Sequence, residues 1–407
     1  MTLAGIPFVV LLVGATLILV ILIKSGMDAM RAPPLVGYIT LGLALVLLNS
    51  RWEIISGEVN AIFEFLAHIG VIFLLFRVGI ESDLPTLRRR LGEASYIWIG
   101  NIAISAAIGY TAAYYLLGLG PIPSVVVALA LTATSVGVSV GVWQAKGAIK
   151  SRNGERLIDV AGMDDISAVV LMALLFAVLP VLHRGGDATW VGMAAETIGL
   201  FALKIAGFGA LCFALARCER RIVSFFSSLE PSPHPMLLVV GAGLTVAALA
   251  GLLDFSVAIG AFFAGLVFSS DPRSEKIDAT LDSLYELFTP FFFIGVGMRL
   301  SADSLTGAIG PGLVLAAAAI AGKFVGTGGA TLLIAGWRDA VLLGLSMVPR
   351  AEIAMIVMQR GLRLGDWATP PRVFSSMVAV CAITSLAAPV ALRGLLDRWP
   401  QSERSEA

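Results

Sequence analysis

Apolar runs of about 20 residues, long enough to cross a bilayer, recur from one end of this 407-residue chain to the other. Charged residues between them are scarce, at 14% of the chain, whereas 58% is hydrophobic; a soluble domain carries about 25% charged residues. Such a chain folds in lipid as helices, because only helices satisfy their backbone groups within each span. A soluble enzyme with a single membrane tail is excluded, since no polar block stands apart from the apolar excess. Lys+Arg and Asp+Glu number 28 each, so no basic field suits nucleic acid. Cys212, Cys218 and Cys381 form no CxxC, and His68, His183 and His234 are scattered. Neither a disulfide framework nor a zinc site is expected, and no cofactor is called for.

Breaks at charged, Pro and Gly residues divide the chain into thirteen candidate spans. They lie near 5–23, 33–49, 61–80, 95–117, 123–143, 157–182, 190–216, 236–253, 255–269, 283–299, 308–336, 338–359 and 373–392. Only Asp254 and its neighbours separate the eighth from the ninth. The first reads as a retained span and not a cleavable signal, since no basic residue precedes it and Lys24 and Arg31 follow. Loops after odd-numbered spans hold eighteen Lys and Arg, including the run Arg88-Arg89-Arg90, and the intervening loops hold six. Cytoplasmic loops retain positive charge, so the N-terminus is expected outside and the C-terminus inside a cell (inner) membrane, with lipid as the surrounding partner. An odd count around a lone middle helix permits two inverted six-helix repeats. The expected fold is therefore an all-α polytopic membrane protein of about 13 helices, with helices 5 and 12 discontinuous at equivalent places.

Arg77, Lys204, Lys323 and Arg350 fall inside predicted spans, where charge is costly and functional by default. Arg77 has Glu64, His68 and Glu81 nearby and reads as a structural pairing. Span 6 carries Asp164 and Asp165; one Asp at mid-membrane costs roughly 2.5–3.5 kcal/mol on insertion scales. The pair lies deep only if residues 157–162 are also helical, and otherwise marks a helix end. Adjacent helical residues point about 100° apart, so one aspartate can face a cavity while the other turns to a neighbouring helix. Lys323, between Gly322 and Gly326 in a long apolar run, is the best cationic partner. In span 12, Pro349 breaks the helix; Arg350 and Glu352 either satisfy the freed groups or form a structural ion pair. In span 5, Thr132, Thr134, Ser135 and Ser139 either line a site or bond back to their own helix. Carboxylates and hydroxyls are hard oxygen ligands that suit an alkali cation. A cation and protons competing there give exchange when the site opens to one side at a time.

Several segments resemble the monovalent cation:proton antiporter-2 family. They are Met163-Asp164-Asp165, Thr132-Ala-Thr134-Ser135-Val-Gly137, Gly260-Ala-Phe-Phe-Ala-Gly265, Phe291-Phe-Phe-Ile-Gly-Val-Gly297, Gly322-Lys323-Phe and Pro349-Arg350-Ala-Glu352. The likeness runs nearly end to end, and the paired aspartates with the lysine are its specific part. It implies a homodimer of elevator type. Residues 1–90 (spans 1–3) and 233–304 (spans 8–10) would form a dimerisation panel. Residues 91–183 (spans 4–6) and 305–407 (spans 11–13) would form the transport core, joined through span 7 in 184–232. Carried over, Asp165 is the site of the monovalent cation and the proton, Asp164 pairs with Lys323, and Thr132 helps line the site. The aspartate pair with the lysine implies electrogenic exchange, whereas relatives with Asn before the Asp are typically electroneutral. Ala351 stands where Gly is usual. The short stretch after the last span leaves no room for the nucleotide-binding regulatory domain of glutathione-gated potassium relatives.

The resulting expectation is a secondary active antiporter, not an enzyme, exchanging sodium or lithium for protons, with potassium the alternative. An intramembrane aspartyl protease also uses two aspartates, but brings them from different helices with a Gly-x-Gly-Asp signature that is absent.

Overall fold

The computed structural model describes residues 6–30, 34–52, 55–81, 91–184, most of 196–218, 236–253, 257–268, 274–299 and 307–401. Arg88, Arg89, Arg90 and Asp254 lie outside the described residues. Regular structure among those residues is entirely helical. Among the described residues, six helices are long and apolar enough to cross a membrane: Ile6–Ala29, Gly57–Ile80, Ala94–Leu116, Arg152–His183, Ile309–Ile334 and Pro371–Arg398. The chain divides into two compact units, Met1–Pro85 with Val191–Arg299, and Thr86–Trp190 with Leu300–Ala407.

Unit 1 contains α1 (Ile6–Ala29), α2 (Pro34–Trp52), α3 (Gly57–Glu81), α8 (Met236–Leu252), α9 (Val257–Phe268) and α10 (Ser274–Met298). Residues 236–252 and 257–268 are separate helices, as the break at Asp254 suggests. α3 packs on α9 and α10, and α10 packs in turn on α2. Lipid chains are as apolar as leucine, so packing in a membrane rests on close backbone approach at small residues. A Cβ on Gly79 would lie 2.1 Å from the Phe262 carbonyl, and one on Gly265 would lie 2.1 Å from that of Phe76. Gly42 and Gly297 make the same reciprocal contact between α2 and α10. Charged pairs here are part-exposed: Lys24–Glu286 at 2.9 Å, Arg77–Asp282 at 2.7 Å and Arg299–Glu64 at 2.8 Å. Arg77 thus reaches across to α10, not only along its own span as the sequence suggested. α10 starts at Ser274, nine residues before its apolar run, and this polar first stretch carries Asp282.

Unit 2 contains α4 (Leu91–Thr111), α5 (Pro121–Thr132), α6 (Val136–Ala145), α7 (Arg152–Arg184), α11 (Ile309–Lys323), α12 (Gly329–Ile334), α13 (Trp337–Ser346), α14 (Glu352–Leu364) and α15 (Pro371–Arg398). α4 runs on through a π-helical turn, Ala112–Leu116. α11 and α12 form one rod through a second, Phe324–Gly328. Candidate spans 5 and 12 are each two short helices, α5 with α6 and α13 with α14, interrupted at 133–135 and 347–351. Proline at N1 starts α5 and α15, where its missing N–H would be unpaired in any case. Gly365, at φ +113°, ends α14 in a conformation that side chains rarely adopt. Trp143 of α6 is fully buried and donates to Ser346 Oγ at 2.9 Å, holding the second half of one broken span to the first half of the other.

Candidate functional site

α5 stops at Thr132 and α13 at Ser346, and the two interruptions that follow are joined through their backbones. Ser135 N–H donates to the Pro349 carbonyl at 2.9 Å. Ending a helix orphans its last carbonyls at the negative end of its dipole. Two cations occupy that end of α5. Lys323 Nζ donates to the Thr132 carbonyl at 2.6 Å. Arg350 donates to the Ala133 carbonyl, to that of Thr132 at 3.4 Å and to Thr134 Oγ1 at 3.3 Å. Both cationic side chains are 0% exposed. The Arg350 backbone is held as well: its N–H donates to Thr384 Oγ1 at 3.1 Å, and its carbonyl accepts from Ser385 Oγ at 2.9 Å. Glu352 opens α14, where a carboxylate meets the positive end of the helix, and accepts from Ser135 Oγ at 2.7 Å.

The aspartate pair comes from α7, which starts at Arg152 and includes residues 157–162. Asp164 and Asp165 therefore lie about 18 Å inside the rod and not at its end. Asp164 is 1% exposed, and Asp165 is partly exposed. Asp164 Oδ2 is 3.9 Å from Lys323 Nζ and makes no hydrogen bond among the described residues. Asn101 of α4 lies between the two charges. Its Nδ2 donates to Asp164 Oδ1 at 2.6 Å, and its Oδ1 accepts from Lys323 Nζ at 2.5 Å and from Thr327 Oγ1 at 2.9 Å. Close helix approach permits this: a Cβ on Gly326 would come within 2.6 Å of the Gly100 carbonyl, and one on Gly322 within 3.0 Å of Ser105 Cα. The π-turn begins immediately after Lys323, and such turns often mark functional positions in helices.

The arrangement gathers two buried cations and three carboxylates around two broken helices. A family model described as "Sodium/hydrogen exchanger, transmembrane" matches residues 13–398. The chain belongs to the sodium/hydrogen exchanger family. Among relatives of this exchanger, the high-affinity Na(+)/H(+) antiporter NhaS3 of Synechocystis is 24% identical over 85% of this chain and 74% of its own. The Na(+)/H(+)-K(+) antiporter GerN of Bacillus cereus is 26% identical over 89% of each chain. The solved structure of the sodium proton antiporter MjNhaP1 from Methanocaldococcus jannaschii superimposes with a TM-score of 0.72 over 96% of each chain, at 15% identity. That likeness shows the exchanger fold.

Within this exchanger, Asp164, Lys323, Thr132, Thr134 and Arg350 fall into one connected set, and Ser135 joins Glu352 beside it. The three hydroxyls of the first interruption are all engaged with protein. Thr132 Oγ1 bonds back to the Leu129 carbonyl at 2.7 Å, so it is the Thr132 backbone that meets Lys323. Arg350 and Glu352 each reach across to the other broken helix. Sequence reasoning missed Asn101. Its signal was a lone amide in the apolar span 95–117, a group that needs partners once buried.

Proposed function

We propose that this protein is a secondary active antiporter that exchanges a monovalent cation, sodium or lithium, for protons at Asp165, with Asp164 paired to Lys323. The observation that carries the reading is the fully buried Asp164–Lys323 pair beside a partly exposed Asp165. Lys323 and Arg350 against Asp164, Asp165 and Glu352 leave one negative charge, which a monovalent cation or a proton neutralises. Oxygen donors of this kind suit a hard alkali ion. Proton and cation then compete, so raising proton concentration at fixed sodium slows cation uptake at that face. Potassium is the second reading, favoured by the likeness to GerN, whose name includes K(+).

The proposal extends to an electrogenic, elevator-type cycle in which unit 2 moves as a body and unit 1 serves as the dimerisation panel of a homodimer. It extends also to thirteen spans in two inverted repeats, with the N-terminus outside and the C-terminus in the cytoplasm. The buried charges of unit 2 and its two interrupted helices support that division of labour, since discontinuous helices accompany midplane sites. Purified protein in vesicles with an internal pH dye supplies the test. Sodium, lithium or potassium added outside should drive proton release, and an imposed membrane potential should change its rate. Absence of flux with all three cations would sink the reading; flux indifferent to potential would remove its electrogenic part.

A further inference from the structure

Asn101 is 0% exposed and spends every polar atom of its amide on the charged pair and its neighbour. An amide offers one acceptor and two donor hydrogens at opposite corners. Lysine can only donate, and an ionised carboxylate can only accept. Asn101 therefore stands in one sense alone: the reverse would set NH2 against the ammonium and oxygen against the carboxylate. Thr327 adds the third bond of the amide, the second on that oxygen. The Gly100–Gly326 crossing holds the backbone of α4 close against the π-turn beside Asn101.

The geometry points to Asn101 as the positioning residue of the exchange centre: it wedges the Lys323 ammonium 3.9 Å from Asp164, keeping the pair open. This rests on the exchange reading above. A lysine shared between Asn101 Oδ1 and the Thr132 carbonyl cancels less of the aspartate field than one in direct contact. The uncancelled field is what draws a cation to the neighbouring carboxylate. With the wedge removed, Lys323 closes on Asp164 and the cation binds more weakly. Closing the gap by about one ångström between unit charges, at an effective dielectric constant near 20, tightens the Lys323–Asp164 pair itself about tenfold. The more distant cation feels a fraction of that, about threefold.

The test is cation-driven proton flux in vesicles, with KM and maximal rate read separately, alongside sodium-induced thermal stabilisation of the same variants in detergent. Asn101→Ala should raise the sodium KM about threefold and keep the maximal rate within about twofold. Thr327→Val, which removes one of the two bonds on the amide oxygen, should shift KM in the same direction by a smaller factor, about twofold. In a Lys323→Ala background, Asn101→Ala should add no further loss of sodium stabilisation, because it acts through the lysine. An unchanged KM in Asn101→Ala, or losses that multiply in the double variant, would overturn the inference. If Asn101→Ala does not yield folded protein, Thr327→Val decides alone, and an unchanged KM there overturns it. Wild-type vesicles without flux would instead remove the exchange reading on which it stands.

Discussion

The two units bury different things. Unit 1 buries glycine, alanine and phenylalanine, and its pairs Lys24–Glu286, Arg77–Asp282 and Arg299–Glu64 all remain part-exposed. Unit 2 buries Lys323, Arg350 and Asp164 almost completely. Unit 1 therefore holds together by close backbone crossings, whereas unit 2 maintains charges in a medium that penalises them. A fold that only needed to be stable would not interrupt two helices and fill the gaps with cations. The contrast accords with the proposed division of packing to one unit and chemistry to the other, and four substitutions probe it in decreasing order of effect.

Asp165→Asn should reduce cation-driven proton flux to that of empty vesicles while leaving the detergent melting profile near wild type; retained flux would move the site elsewhere. Arg350→Ala should cost about 3 kcal/mol, because the Ala133 carbonyl loses its partner and a large buried side chain disappears. Thermal unfolding in detergent reads that loss, and an unaltered melt would mean that water replaces the guanidinium. Gly79→Val belongs to the other unit and should cost about 2 kcal/mol through overpacking against the Phe262 carbonyl. Its flux per folded molecule should match wild type; a lowered KM or rate would blur the division between units. Lys24→Ala, which removes an exposed pair, should shift stability by less than about 1 kcal/mol, and a larger shift would show unit 1 leaning on its charges after all.

Much of the architecture was legible along the chain because membrane helices satisfy their backbones locally. The apolar runs near 61–80, 95–117, 157–182, 308–336 and 373–392 mark long helices, and Pro349 marks the break in span 12. Boundaries were less legible where polar residues extend a helix beyond its apolar run, as at Arg152 in α7 and Ser274 in α10. Those turns are not required to be hydrophobic, so hydropathy passes over them. The Asp282 partner of Arg77 was not legible for a related reason: nearness in sequence favoured Glu64, His68 and Glu81, whereas Asp282 approaches from 205 positions away.

The sequence by itself determined the solvent, the helical class, the interruption of spans 5 and 12, and which ionisable residues fall within apolar runs. Each of these follows from the cost of exposing backbone or charge to hydrocarbon, a cost paid residue by residue. Tertiary structure alone decided which groups meet. The Thr132 and Ala133 carbonyls carry no sequence signature, since every residue has a carbonyl, and they become ligands for Lys323 and Arg350 only because α5 ends there. Asn101 is an ordinary amide until the Gly100–Gly326 crossing brings α4 against α11 and sets it between a lysine 222 positions away and an aspartate 63 away.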